Sequence, residues 1–140
     1  MPISEFEMIK KYFRDLGPKR PDTILGIGDD AAIISPPDNC ELLTAIRQWQ
    51  PGQDYKSTEL GEKVACSMLE SAMADLQIKK ATPAWMTLSL TFKELDEHWI
   101  TSFSQGLAKI ANINNIELIG GDTSRGPETL RLHLTGHKEI

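Results

Sequence analysis

Apolar residues spaced three and four apart predict three helices along the chain. The longest stripe of this kind, over residues 59–78, predicts a central helix. A first helix is expected near the start, where Ser4 and Glu7 match a capping box and Gly17-Pro18 would end the helix. A third helix is expected after Asp96, whose carboxylate can accept hydrogen bonds from the first turn.

Alternation of apolar and polar residues predicts two half-buried strands, one from Met86 to Phe92 and one from Leu130 onwards. Shorter apolar runs between turn signals predict further strands at Ile24 to Ile27, Ala31 to Ile34, Glu41 to Ile46 and Ile116 to Ile119. The polar stretch from Gln48 to Lys56 is expected to be a loop. We therefore expect an α+β fold, with a single mixed or antiparallel sheet of about four to six strands and helices packed on one face.

Composition excludes several classes of protein. The chain has 140 residues, 40% of them hydrophobic, and a net charge of −5, which fits one globular domain. No block of basic residues indicates a nucleic-acid partner. No apolar run approaches the ~20 residues of a membrane span, and the first residues lack the features of a signal peptide. Cys40 and Cys66 have no disulfide or metal-site spacing, so we expect a protein of the reducing cytoplasm.

Two glycine-flanked acidic segments carry the candidate chemistry: Gly26-Ile27-Gly28-Asp29-Asp30 and Gly120-Gly121-Asp122-Thr123-Ser124-Arg125-Gly126. We interpret both as loops, in which glycines let the backbone approach a ligand and carboxylates bind a hard cation such as Mg2+. Arg125 would add a charge-assisted phosphate contact. Asp75, near the end of the central helix, is a third candidate ligand. The residues alone leave open that both segments are ordinary tight turns and that Asp75 is an exposed helix acid.

Three runs, in order along the chain, resemble thiamine-monophosphate kinase. They are Gly26-Ile27-Gly28-Asp29-Asp30-Ala31-Ala32, Pro83-Ala84-Trp85-Met86-Thr87-Leu88-Ser89-Leu90 and Leu118-Ile119-Gly120-Gly121-Asp122-Thr123-Ser124-Arg125-Gly126-Pro127. The resemblance covers essentially the whole chain. It is more specific than the resemblance to other enzymes of the same fold, such as aminoimidazole ribonucleotide synthetase, because of the Pro-Ala-Trp strand and the Arg-Gly that follows Gly-Gly-Asp-Thr.

The resemblance implies an enzyme that transfers the γ-phosphoryl group of ATP to thiamine monophosphate and needs Mg2+. It implies metal-linked roles for the acids Asp29, Asp30, Asp75 and Asp122, and a nucleotide site that includes Gly120, Gly121, Thr123 and Arg125. It also implies a homodimer in which the two sheets form a barrel. A single layer with helices on one side leaves one sheet face in need of a partner, so we expect a twofold dimer through the sheet.

The chain departs from the family pattern at three places. It ends where the second domain of the family would begin, so we expect either a piece of a longer protein or a stand-alone first domain. The family has Ser-Thr-Asp-Thr followed closely by a histidine; the matching residues here are Ala45, Ile46, Arg47 and Gln48, with Asp54 at the histidine position. Near the end of the central helix, Asp75 remains, whereas Lys80 replaces a glycine that would end the helix in a left-handed conformation.

Arg47 changes the expected electrostatics, because it stands where the family has an acid. A guanidinium repels each unit of cation charge by about 4 kcal/mol at about 4 Å and an effective dielectric constant of about 20. We therefore expect weak binding of Mg2+ and ATP, and we expect Arg47 to pair with one or more of the remaining acids Asp29, Asp30 and Asp122. The residues alone leave open that Arg47 merely begins a surface loop. Three hypotheses follow: a thiamine-monophosphate kinase or part of one, a catalytically impaired relative that dimerises or binds a ligand, and another ATP-using enzyme of this fold.

Overall fold

The computed structural model describes residues 5–28 and 31–140. In chain order, the elements are α1 (Glu5–Arg14), β1 (Thr23–Leu25), β2 (Ile33–Ile34), β3 (Cys40–Trp49), α2 (Gly61–Ile78), β4 (Thr82–Phe92), α3 (Glu97–Asn114), β5 (Glu117–Arg125) and β6 (Thr129–Glu139). The α+β class and the three expected helices are confirmed. Ser4, which was expected to cap α1, lies outside the described residues, as do Asp29 and Asp30.

Four strands form one mixed sheet in the order β3-β6-β4-β5, and β1 and β2 form a separate two-stranded ribbon. β6 pairs antiparallel with both β3 and β4, whereas β5 runs parallel to β4. The connection between these two parallel strands contains α3, since parallel neighbours cannot be joined by a tight turn. This crossover places the amino-terminal half of β5 in the core, where Leu118 is buried.

Alternation along β4 and β6 divides the sheet into a buried face and an open face. Leu88 and Leu132 are cross-strand partners on the buried face, whereas the neighbouring pair Ser89 and Arg131 points away from it. We use the name open face for the side that carries Thr44, Ile46, Gln48, Thr87, Ser89, Arg131 and His133. Its side chains are half-buried or exposed.

The helices cover the buried face. α2 lies against the sheet through the apolar stripe expected from the sequence, and α3 runs along α2. The two helices approach closely because of glycine: a Cβ on Gly106 would lie 2.5 Å from the carbonyl oxygen of Glu62. Asp96 caps α3 as expected and accepts a hydrogen bond from the Trp99 N–H at 3.2 Å.

α2 ends in a Schellman motif built on a lysine. The N–H groups of Lys80 and Ala81 donate to the carbonyls of Gln77 and Leu76 at 2.9 and 3.0 Å. Lys80 has a φ of 62°, so the left-handed conformation persists although the glycine of the family is absent. The end of α2 is thus determined by these two backbone hydrogen bonds and by the burial of Ala81, which is 5% exposed.

Three strands are longer than expected. β4 begins at Thr82, ahead of the predicted start at Met86. β3 continues through Gln48 and Trp49, part of the stretch expected to be a loop, because its register with β6 extends to the Trp49–Leu130 pair. The interpretation of the second acidic segment as a loop was wrong, since β5 contains Gly120 through Arg125. The polar half of β5 is held by its backbone pairing with β4, which continues to Phe92 and Arg125.

An ion pair fixes the segment that leads from α1 to β1. Arg20 Nη2 lies 2.8 Å from Asp22 Oδ2, and both side chains are largely buried. The guanidinium also lies 5.2 Å from the centre of the Trp85 ring, and the Arg20 N–H donates to the buried Glu117 at 2.6 Å. The Trp85 indole N–H in turn donates to Thr23 at 3.0 Å. These contacts anchor β1 to β4 and β5.

Candidate nucleotide groove and the Arg47–Asp75 pair

A groove of about 1070 Å3 lies between α1, the chain around Gly28 and the outer part of the sheet. Leu88, Leu90 and Leu118 form apolar parts of its lining. Gly120, Gly121, Asp122 and Thr123 line it from β5, so the structure brings the second acidic segment and Gly28 of the first to one groove. A volume of this size is sufficient for a nucleotide-sized ligand.

The two adjacent glycines of β5 have different roles in this groove. A Cβ on Gly121 would collide with the carbonyl oxygen of Leu88 on the neighbouring strand, so this position must lack a side chain for β4 and β5 to pair. A Cβ on Gly120 would meet nothing within 4 Å. The fold therefore requires Gly121, whereas the absence of a side chain at Gly120 leaves open space beside the groove.

Asp122 and Thr123 form the polar part of the β5 side. The Asp122 side chain is exposed, and its Oδ1 accepts a hydrogen bond from the Thr123 N–H at 2.9 Å. Arg125 ends β5, opposite Phe92 of β4, and it is exposed. It is absent from the groove lining, where the sequence had suggested a phosphate contact.

The opposite side of the groove is a charged face of α1 that the sequence analysis missed. Lys10, Lys11 and Arg14 line the groove and are exposed, and Glu7 and Asp15 accompany them. The signal was present in the sequence as cations recurring three and four apart on the helix, opposite its apolar stripe. These cations provide charges that attract phosphate groups.

Asp75 lies elsewhere and already has a cationic partner. Arg47 extends from β3 to α2, and its Nη2 lies 2.6 Å from Asp75 Oδ2. The same nitrogen donates to the carbonyl of Ser71 at 3.1 Å, and Nη1 donates to the carbonyl of Ile46 at 2.9 Å. Arg47 therefore pairs with an acid, as expected, but its partner is Asp75 and not Asp122. Asp29 and Asp30, the other expected partners, lie outside the described residues.

Asp75, which contacts Arg47 of β3, and Asp122, which lies on β5, are near opposite edges of the sheet. Arg47 on β3 aligns with Leu132, Leu132 with Leu88, and Leu88 with Gly121. Two strands therefore separate β3 from β5, a distance of about 14 Å at the usual strand spacing. The described part of a single chain does not bring these two candidate metal ligands together.

The described residues do not form a Mg2+ site. No group of three or more His, Cys, Asp or Glu side chains that could hold a metal occurs among them. Asp75 is engaged by Arg47, and Asp122 provides a single exposed carboxylate. Mg2+ needs several oxygen ligands in octahedral geometry. The Asp122 carboxylate is one such ligand, so phosphate oxygens or other residues would have to supply the rest.

The remaining departures from the family motif have structural roles. Ala45 lies on the buried side of β3, whereas Ile46 and Gln48 lie on the open face, where Gln48 accepts from Arg131 Nε at 2.8 Å. Asp54 accepts a hydrogen bond from the Gln50 N–H at 2.8 Å and so stabilises the turn after β3.

The loop after β3 is held by an aromatic cluster that the sequence analysis did not identify. The Tyr55 ring stacks on Trp99 at 6.3 Å, and its hydroxyl donates to Glu128 at 2.5 Å. Burial, followed by the hydrogen bond to the Glu128 carboxylate, raises the pKa of Tyr55 well above its ordinary range. Tyr55 thus remains protonated and keeps this turn attached to the β5–β6 connection.

Comparison with known proteins assigns the chain to a family. The model for the N-terminal domain of AIR synthase related proteins matches residues 28–137. The chain belongs to the AIR synthase related protein family. Within this family, it is 36% identical over 136 residues to the thiamine-monophosphate kinase of Escherichia coli strain K12, covering 97% of the chain and 42% of that protein. The resemblance stated from the motifs is therefore confirmed.

Solved structures agree with this assignment. Thiamine-monophosphate kinase from Stenotrophomonas maltophilia K279a is 33% identical, with a TM-score of 0.80, and the match covers 99% of this chain and 44% of that one. AaThiL, solved in complex with AMPPCP and TMP, has a TM-score of 0.70 at 21% identity, over 95% of this chain and 40% of that one. The latter likeness shows the shared fold. The chain spans less than half the length of these relatives.

Among the residues that the structure describes, none of the helices combines the length and the apolar character needed to span a membrane.

Proposed function

We propose that this AIR synthase related domain is the nucleotide-binding part of a thiamine-monophosphate kinase, and that ATP binds in the groove between α1 and β5. The observation that carries the proposal is the placement of Gly28 and Gly120 to Thr123 on one groove, facing Lys10 and Arg14. The curated relative at 36% identity is a thiamine-monophosphate kinase, and AaThiL was solved with AMPPCP and TMP. The substrate would accordingly be thiamine monophosphate and the product thiamine diphosphate.

Phosphoryl transfer depends mainly on positioning and on neutralisation of charge, which makes this groove suitable. The open space at Gly120 would allow close approach of a phosphate, and the ammonium groups of Lys10 and Lys11 would attract its oxygens. The apolar lining from Leu88 and Leu90 excludes water from one side of the ligand. Mg2+, where the remaining acids and the phosphates hold it, would neutralise phosphate charge.

We expect little or no kinase turnover from this chain by itself. Asp75 is engaged by Arg47 of edge strand β3, whereas Asp122 lies on β5 at the opposite edge of the sheet. The same observation favours a second candidate function, a catalytically inactive module that binds a nucleotide or thiamine phosphate. The two candidates share the groove and differ in whether the γ-phosphoryl group is transferred.

The protein is proposed to act as a homodimer through the open face. Ile46, 52% exposed, and Leu42, 49% exposed, place apolar surface on β3 beside polar Arg131 and His133. An open sheet face with this mixture is suited to pairing with a second copy of the same face.

Calorimetry with AMPPCP tests the groove. We expect detectable but weak binding to the 140-residue chain, and Lys10→Glu should weaken it at least several-fold because it places a carboxylate beside the phosphates. Lys63→Glu makes the same charge change on an exposed part of α2 outside the groove lining, and it should leave the affinity unchanged. Equal losses in both variants, or no binding to the parent protein, would contradict the site.

A second assay separates the two candidate functions. The chain is incubated with ATP, Mg2+ and thiamine monophosphate, and thiamine diphosphate is quantified by chromatography. Nucleotide binding without product supports the inactive module, whereas turnover above a no-protein control supports the kinase. Low-micromolar binding of the nucleotide with Mg2+ would show that the departures from the family motif are compensated.

A further inference from the structure

Arg47 is held between β3 and α2 entirely by oxygen atoms. Its two terminal nitrogens contact the Asp75 carboxylate at 2.6 Å, the Ser71 carbonyl at 3.1 Å and the Ile46 carbonyl at 2.9 Å. We call these acceptors the Arg47 cradle. The Arg47 side chain is 27% exposed and the Asp75 side chain is 44% exposed, so the arginine is half-buried and the acid is more open to solvent.

The Arg47 cradle has the chemistry of a site for a hard cation. One carboxylate and two carbonyl oxygens are ligands that Mg2+ and related cations use, and here they surround a positive charge supplied by the chain. The guanidinium supplies this charge as part of the chain itself. Its planar fork also satisfies carbonyl and carboxylate acceptors together, which a solvated lysine would not do in the same geometry.

We propose that Arg47 is the built-in cation of this cradle, and that it withholds Asp75 from divalent cations in this protein. The family resemblance implied a metal-linked Asp75, and the geometry disagrees, because a divalent cation at Asp75 would have to displace the guanidinium or lie against it. The proposal is independent of nucleotide binding, since the cradle lies at the β3 edge of the sheet and the groove at the β5 edge.

Site-resolved paramagnetic broadening by Mn2+ tests the proposal in the unaltered chain. Mn2+ is added at millimolar concentration, and the loss of amide signals is followed along α2. We expect the signals of residues 71–78 to keep their intensity, whether or not Mn2+ broadens the signals near Asp122. Broadening of residues 71–78 in the parent protein would overturn the proposal, because Asp75 would then be available to the cation.

Replacement of the guanidinium should open the cradle. In Arg47→Asp, two carboxylates would face each other, so we expect a lower melting temperature without metal, its recovery with Mn2+, and broadening of residues 71–78. The double variant Arg47→Asp with Asp75→Asn should lose most of that response. Arg131→Asp is the matched control, because it makes the same charge change at the residue next to Leu132, the β6 partner of Arg47. Arg131 lies on the open face, away from α2, so this variant should not broaden the α2 signals.

Arg47→Gln provides a second variant, since it removes the charge without adding a repulsive acid. We expect it to bind Mn2+ at Asp75 more weakly than Arg47→Asp and more strongly than the parent protein. The proposal would also be overturned if Arg47→Asp or Arg47→Gln folds but Mn2+ does not broaden its α2 amide signals. The cradle would then have no affinity for a cation. These outcomes do not depend on AMPPCP, so they are distinct from a failure of the groove.

Discussion

Lys80 adopts a backbone conformation that favours glycine. Its φ of 62° is left-handed, and a side chain in that region costs about 1–2 kcal/mol. The two hydrogen bonds of the Schellman motif nevertheless hold it there. The motif therefore carries local strain that a single substitution can remove.

Lys80→Gly should stabilise the protein by about 0.5–1 kcal/mol. Glycine relieves the free-energy cost of the left-handed backbone, and this gain exceeds the entropic cost of ordering a more flexible residue on folding. Lys79→Gly is the matched control: Lys79 has φ −88°, so glycine relieves nothing there and should destabilise slightly. Urea denaturation of both variants measures the difference. A loss of stability in Lys80→Gly equal to that in Lys79→Gly would refute the strain.

Asp22 makes stability depend on pH at the acid end. The hydrogen bond and charge of Arg20 hold the pKa of Asp22 below its ordinary 3.8, although burial opposes this shift. A carboxyl with a lowered folded-state pKa contributes stability above the ordinary value, and the contribution is lost as pH falls through the folded-state pKa. The contribution should therefore be present at neutral pH and fade below about pH 4.

Asp22→Asn should be less stable than the parent protein at neutral pH. This difference in stability, the stability gap, should become smaller as pH falls below about 4. Asp38→Asn, at an exposed position, serves as the control and should follow the parent protein throughout. Melting temperatures across the acid range measure both gaps. A gap for Asp22→Asn that stays constant with pH would show that the ion pair does not lower the pKa.

At the scale of elements, the crossing of α2 and α3 depends on a glycine in a helix interior. Alanine normally stabilises such a position by about 1 kcal/mol. At Gly106, however, the added Cβ would lie 2.5 Å from the Glu62 carbonyl oxygen and 2.8 Å from the Glu62 Cα. Neither atom belongs to a flexible side chain, so the helices would have to separate.

Gly106→Ala should therefore destabilise the fold by about 1–3 kcal/mol, the reverse of its effect on helix propensity. Gln105→Ala, at the exposed neighbouring position of the same helix, should change stability by no more than about 0.5 kcal/mol. Chemical denaturation followed by circular dichroism compares the two. Stabilisation by Gly106→Ala would contradict the close crossing.

At the scale of the whole molecule, the open face is the feature that most needs a partner. Ile46→Lys would place a charge on edge strand β3 within the proposed sheet-to-sheet interface, so it should raise the dissociation constant of the proposed dimer at least tenfold. Ile113→Lys adds the same charge at a residue that is 72% exposed on α3 and should leave association unchanged. Sedimentation at micromolar concentration distinguishes them, and a monomeric parent protein would rule out the dimer.

The elements of this protein could be predicted where periodicity is local. The stripe of α2, the alternation of β4 and the Asp96 cap depend on residues within a few positions of each other, and all three were predicted. The polar half of β5 was missed because Gly120 to Arg125 has no apolar alternation of its own. Its backbone pairing with β4, through Phe92 and Arg125, makes it a strand.

The sequence by itself determined the α+β class, the family and the set of candidate residues, because helix and strand periods and ordered motifs are properties of the chain alone. Tertiary structure decided which candidates meet. It joined Gly28 to Gly120 in one groove, paired Arg47 with Asp75 across 28 positions of the chain and kept Asp75 from Asp122. Such contacts depend on strand order and on the register between distant segments, which packing of the core selects and local sequence does not encode.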